Sequence, residues 1–233
     1  MKYLYLLLFV LGLQAGFAQS TTVSVFATGG LSSFSGAGSS KNTEFWTGGY
    51  WCMCDTREAN SFGARSAISY GGGLTLQHLF QNKMIAGLDL GYEMLRSRSR
   101  ITQIALDDMV FRTKGRNISS NHFINAFPHA GYLFPISNKI DFSASGGADI
   151  GFGLSSREKM KIPDFGDMPG RSTDKIPGID FRPRIQIGVT YEKFTFTGSY
   201  ARGIKNWGSS DLDARLNVIR FGVQYRLIRK TIL

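Results

Sequence analysis

The chain has 233 residues, the size of one ordinary domain. Its 27 Lys and Arg exceed 17 Asp and Glu for a net charge of +10, yet charged residues make up only 19%, below the roughly 25% usual in soluble domains. A content of 42% hydrophobic and 13% aromatic residues excludes disorder, two cysteines exclude a disulfide scaffold, and no internal run reaches the ~18 apolar residues of a spanning helix.

The chain opens with Lys2, an apolar stretch over 4–13 and small residues at Gly16 and Ala18. A basic start, a short apolar core and small residues before a cut predict a secretory signal peptide over 1–18, leaving 19–233 as one domain. No cysteine lies near the cut, so a lipid-anchored lipoprotein is not expected. Export would bring Cys52 and Cys54 into an oxidising compartment. Two ligands are too few for a zinc site, so they read as loop residues, paired or free.

Beyond the leader the signal is strict alternation. A first strand is expected near 22–30. In 68–80, Ile68, Tyr70, Leu74, Leu76 and Phe80 oppose Ser69, Gly71, Gly73, Thr75 and Gln77. In 84–94, Met84, Ala86, Leu88, Leu90, Tyr92 and Met94 oppose Gly87, Asp89, Gly91 and Glu93. In 124–134, Ile124, Ala126, Ala130, Tyr132 and Phe134 oppose Asn125, His129 and Gly131, with Phe123 and Phe127 blurring the polar face. The pattern recurs over 140–154 (Phe142 and Ile150 against Asp141 and Asp149), 181–192 (Ile185 and Ile187 against Arg182 and Arg184), 194–200 and 219–227. Pro128 and Pro183 fall inside strands, where proline forfeits a ladder hydrogen bond, so a bulge is expected near each.

Short connections at 81–83, 135–139 and 192–193 alternate with long ones at 31–65, 97–120, 155–177 and 204–214. Short turns at one end and long loops at the other predict an eight-stranded antiparallel up-and-down transmembrane β-barrel, with periplasmic turns and extracellular loops. A soluble sandwich would also alternate, but its loops need not sort by length. In hydrocarbon every sheet edge must be closed, because unpaired N–H and C=O groups cannot be solvated there. Residues 84–94, at about 3.3 Å each and a tilt near 40°, reach roughly 28 Å, close to the ~25 Å apolar band of such barrels. Gly222, Tyr225 and Leu227 in the last strand resemble the signal read by the barrel-assembly machinery, although six residues, Ile228 to Leu233, follow it.

With these elements placed, the chain resembles the Bacteroidota outer-membrane β-barrel family often labelled PorT-like. The segments that carry the likeness lie at 140–147, 185–191 and 194–200, and Gln19 after the cut also looks like this group's exported proteins. The resemblance implies an outer-membrane location in a Gram-negative, Bacteroidota-like bacterium, and the barrel fold. It implies no activity. The long first loop with its Cys-Met-Cys departs from the family's usual pattern.

Eight strands enclose a space that side chains can fill. With polar faces inward, Asp89, Glu93 and Asp149 face Arg182, Arg184 and Arg220. A buried charge without a partner costs several kcal/mol, so these groups are expected to pair or to hold trapped water, a salt-bridged plug rather than a conducting pore. A narrow, porin-like channel or a carrier for small molecules is the alternative. Arg96, Arg98 and Arg100 continue the outward positions of the third strand above Tyr92 and Met94, the level of lipid phosphates, so they are expected to contact lipopolysaccharide or else to lie in a solvated loop.

Enzymatic readings are poor. An outer-leaflet lipid hydrolase or acyltransferase needs a Ser–His pair. Of His78, His122 and His129, only His122, with Ser119 and Ser120 nearby, is expected at the outer rim. No cofactor or metal is expected, and the glycines at 146, 147, 151 and 153 form no phosphate loop because no helix follows. The spread of charge over rim and lumen does not point to nucleic acid. The expected role is therefore structural or interaction-based, through extracellular loops, with Trp46, Tyr50 and Trp51 as exposed aromatic anchors for a protein partner or else packed onto the barrel mouth.

Overall fold

The computed structural model describes residues 18–48, 55–58, 62–106, 109–163, 166–169, 178–208 and 212–231. In chain order the strands are β1 (Ala18–Ser35), β2 (Ser39–Ser40), β3 (Asn42–Gly48), β4 (Asp55–Glu58), β5 (Phe62–Gly63), β6 (Arg65–Phe80), β7 (Met84–Leu106), β8 (Met109–Pro135), β9 (Ile140–Ile162), β10 (Gly166–Pro169), β11 (Ile179–Tyr191), β12 (Phe194–Arg202) and β13 (Arg215–Thr231). Eight of them close a ring. β1 pairs β6, β6 pairs β7, and the ladder continues through β8, β9, β11, β12 and β13 back to β1, each pair antiparallel. The molecule is an all-β, eight-stranded up-and-down barrel.

Alternation sorts the side chains as a bilayer requires. Leu90, Ile185, Ile187 and Phe221 point outward and are 50%, 67%, 56% and 68% exposed, whereas Asp149 and Arg182 on the inner face are fully buried. The lower edge of the apolar belt carries touching aromatics. Tyr132 and Phe134 lie 4.9 Å apart, and Phe194 and Tyr225 lie 5.1 Å apart. Tyr92 and Phe152 stand exposed towards the other end.

The inner face needs close backbone approach at a few points. A Cβ on Gly147 would sit 2.1 Å from the Pro128 carbonyl oxygen, and one on Gly73 would sit 2.1 Å from that of Leu90. Backbone cannot yield there as a flexible side chain could, so only glycine fits.

Several expectations need correction. The segment 97–120 is not a loop: β7 runs on to Leu106 and β8 starts at Met109, and their ladder continues as far as Leu106↔Met109. Reading by apolarity ended the strand at Arg96, but a strand outside hydrocarbon needs only period-two alternation, which Arg-Ser-Arg-Ser-Arg supplies. Likewise β9 continues to Ile162 and β10 folds back on it. Within 31–65, β1 extends to Ser35, and β3 adds parallel to β7 from Asn42↔Arg100. The final strand reaches Thr231, so residues after the assembly motif still pair, as in Ser20↔Thr231.

The bulges also lie elsewhere. Register runs unbroken past Pro128, opposite Leu88, and past Pro183, opposite Ala148. Shifts fall instead at other points, among them Val23/Ser24 and His122/Phe123. The first leaves Leu227 as the extra residue, so Leu227 and Ile228 both turn outward, at 52% and 61% exposed. Each proline occupies an outward position in line with its neighbours, and the ladder tolerates one missing donor without an inserted residue.

Candidate functional site

The lumen is filled in layers. Its middle layer is ionic and draws on five strands. Arg220 of β13 donates from Nη2 to Glu93 Oε2 at 3.0 Å and to Asp149 Oδ2 at 2.7 Å, and its Nε also binds Glu93 Oε1. Arg184 donates from Nη1 to Asp149 Oδ1 at 3.2 Å and from Nη2 to Gln186. Arg182 donates to Asn125 Oδ1 at 2.8 Å and lies 3.5 Å from Glu93 and 3.8 Å from Asp149. Asn125 in turn donates to Glu93. Asp89 stands beside the cluster and accepts a 2.8 Å hydrogen bond from Thr75. All six ionic residues read from the sequence thus lie on the inner face. Arg220 joins Glu93 to Asp149, both of Arg182 and Arg184 reach Asp149, and Asp89 is held by a hydroxyl.

Sequence reading missed four members of this layer. Asp180, fully buried, lies 3.7 Å from Arg182 and adds a fourth acid. It stands two residues before Arg182 in the same alternating run, which is the signal that could have found it. Asn125, placed on the polar face but given no role, bridges acid and base. Phe123 and Phe127 point inward, each with a guanidinium over its ring face, Arg182 at 5.2 Å and Arg184 at 4.0 Å from the ring centroids. An aromatic face offers a buried cation its quadrupole, so these two rings belong to the ionic layer. The remaining space is small. A cavity of about 20 Å³ borders Asp89, Glu93, Asp149, Arg184 and Arg220, room for about one water molecule.

Above the ions sits an apolar cap. Phe34, Leu95, Phe123, Ala214, Leu216 and Val218 form one buried cluster, with Phe62 and Trp207 packed on it. Trp207 lies 5.5 Å from Phe34 and 6.0 Å from Phe123, edge-on to both. Below the ions, towards the short turns, a polar recess of about 70 Å³ is bordered by Ser24, Gln77, Asp141, Thr190, Gln224 and Arg226, among others.

On the outer face, Arg96 is half-buried and Arg98 and Arg100 are exposed, while Ser97 and Ser99 between them are buried. The three arginines therefore share one side, the side of Tyr92. Two residues below Arg96 on that side, Met94 pairs with His122, whose Nδ1 lies 2.5 Å from Tyr92 Oη. The partner of His122 is thus a tyrosine, and Ser119 turns into the buried face. His78 lies at the opposite end, 2.9 Å from Thr21 Oγ1, and His129 is buried against Phe127, ring centroids 4.9 Å apart.

In the last strand Gly222 faces inward, where a Cβ would crowd Thr197 and Thr28, and Tyr225 and Leu227 face outward. Trp46 stands on β3, while Tyr50, Trp51, Cys52 and Cys54 lie outside the described residues, as do 1–17 of the expected leader.

No family model and no curated protein matches the chain. Among solved structures, Neisserial surface protein A aligns over 89% of this chain and 99% of its own, at 10% identity and a TM-score of 0.41. Ail, the attachment invasion locus protein of Yersinia pestis, aligns over 90% of this chain and 99% of its own at 12% identity, with TM-scores of 0.36 in complex with the heparin analogue sucrose octasulfate and 0.31 without it.

Proposed function

We propose that the chain is an integral outer-membrane barrel of a Gram-negative bacterium, sealed along its axis, that acts through the surfaces it raises above the bilayer. Its role is structural or interaction-based rather than catalytic. The observation that carries this reading is Arg220 held between Glu93 and Asp149 beneath the Trp207 cap. An arginine ligated by two carboxylates and backed by apolar packing supports a closed axis among the described residues, and exchanging its partners would first strand a buried charge. Export by the leader over 1–18, kinship with the PorT-like barrels of Bacteroidota, and insertion by the assembly machinery through Gly222, Tyr225 and Leu227 belong to the same reading.

The test is conductance of the purified chain in a planar bilayer. The sealed barrel passes no unitary current, either as wild type or as Arg220→Ala, because the cap above the ions remains. Reproducible single-channel steps in the wild type would replace this reading with that of a narrow channel.

A further inference from the structure

Above the apolar belt β7, β8 and β9 continue as a three-stranded sheet, and register aligns their outward side chains in rows. Arg96, Ser120 and Arg157 form the lowest row; Arg98, Ile118 and Lys159 the next; Arg100, Arg116 and Lys161 the third. Ser97, Ser99, Asn117, Ser119 and Met160 are buried on the other face, which fixes the cations on the outside. Among the described residues of these three extensions the one acid is Glu158, and it pairs with Ser119 and so alternates onto the buried face. Successive rows lie about 7 Å apart and the outer columns about 10 Å apart, from strand rise and spacing. The three strands thus present one charge sign, standing directly on the Tyr92–His122 pair, and Asp167 of β10 pairs in register with Lys161 at the end of the third row.

The same strands continue downward into hydrocarbon. There Leu90 and Tyr92 of β7, Ile124 of β8 and Phe152 of β9 stand exposed on the same outward side. Cations at the edge of the belt and exposed apolar side chains directly below them follow the order of a lipid, headgroup above chain. A soluble polyanion would use the cations alone and would have no use for their position at the belt's edge.

We propose that the outward face of β7, β8 and β9 binds the phosphate groups of lipopolysaccharide, the anionic lipid of the outer leaflet, with Arg96, Arg98 and Arg157 at the phosphates and the acyl chains along the apolar belt below. Guanidinium groups donate paired in-plane hydrogen bonds to phosphate oxygens, which a lysine cannot match. The proposal rests on the outer-membrane reading and names the ligand of its surface.

The experiment measures lipopolysaccharide retained per barrel after size exclusion of the full chain in nanodiscs of phosphatidylcholine doped with that lipid. Each basic residue near an anionic surface is worth roughly fivefold in binding. The triple variant R96Q/R98Q/R157Q should therefore lose retention by about two orders of magnitude while its heat-modifiable migration stays that of a folded barrel. The triple Arg→Lys variant should fall between the two, and dephosphorylated lipopolysaccharide should be retained as poorly by the wild type as the intact lipid is by the glutamine variant. Equal retention by wild type and glutamine variant, or equal retention of dephosphorylated lipid, overturns the proposal. Tighter binding of inorganic polyphosphate or heparin than of the lipid, in lipid-free detergent, reassigns the face to a soluble polyanion. A chain that fractionates without detergent in the soluble fraction sinks the outer-membrane reading itself, an outcome distinct from all of these.

Discussion

Arg220 and Glu93 stand 127 positions apart in the chain, yet the guanidinium of one clasps the carboxylate of the other through two separate nitrogens. Neither side chain is more than 7% exposed. The pair crosses the lumen from β13 to β7, two strands that are not neighbours in the ladder, and so ties together walls that backbone hydrogen bonds do not connect directly.

Removing one partner therefore exposes the other to the cost of burial. Arg220→Ala leaves Glu93 and Asp149 with one cation fewer, and breaking a buried pair in this way costs about 3–5 kcal/mol. Urea titration of tryptophan fluorescence in lipid vesicles measures it. The double variant Arg220→Gln with Glu93→Gln removes both charges and should be more stable than Arg220→Gln alone. If the two single losses simply add, the residues are not coupled and the clasp is not what holds the layer together.

Close backbone contact gives a second expectation. Gly147→Val should abolish assembly, because its Cβ would meet the Pro128 carbonyl oxygen at 2.1 Å. Gly146, on the neighbouring outward position, has only the Arg184 carbonyl oxygen at 3.9 Å, and its alanine variant should fold normally. Heat-modifiable gel migration separates the two, and a folded Gly147→Val barrel contradicts the packing described above.

Outward positions should report depth in the bilayer. Ile187 lies near the middle of the belt and Ile179 at its extracellular edge, both on β11 and both well exposed. An arginine at a barrel's bilayer midplane costs about 2–4 kcal/mol, and near the interface about 0–1 kcal/mol. Ile187→Arg should therefore destabilise refolding in vesicles far more than Ile179→Arg. Equal penalties would mean that the belt does not sit where its girdles suggest.

The cap gives a fourth. Trp207→Ala removes a ring packed on Phe34 and Phe123. Because Trp207 is only partly buried, the loss should fall below the roughly 3–5 kcal/mol of a fully buried tryptophan. Thermal unfolding should shift down while the planar bilayer stays silent, since the ionic layer still blocks the axis. Current through Trp207→Ala would show that the cap, and not the ions, seals the lumen.

Much of this was written in local order. Period-two alternation identified the inner and outer faces of strands such as β9, β11 and β13, and the sorting of connections by length identified the barrel, because both follow from residues adjacent in sequence. Two features lacked a local signal. Phe123 and Phe127 looked like intrusions on a polar face, since nothing local says that an arginine from another strand will lie over each ring. The run from Arg96 to Arg100 reads equally as continued strand or as loop, since a strand beyond hydrocarbon has no apolar residues to mark it.

The amino-acid order by itself settled which side chains turn to lipid and which turn inward, since in a strand that choice depends only on odd and even position. Only the closed structure decided which inward charge meets which, that Asp180 joins them, that an aromatic cap covers them, and that three strands rise together to align Arg96 with Arg157. Those outcomes depend on register and on distance across the lumen, which are set when the ring closes. Residues far apart in the chain become neighbours only then.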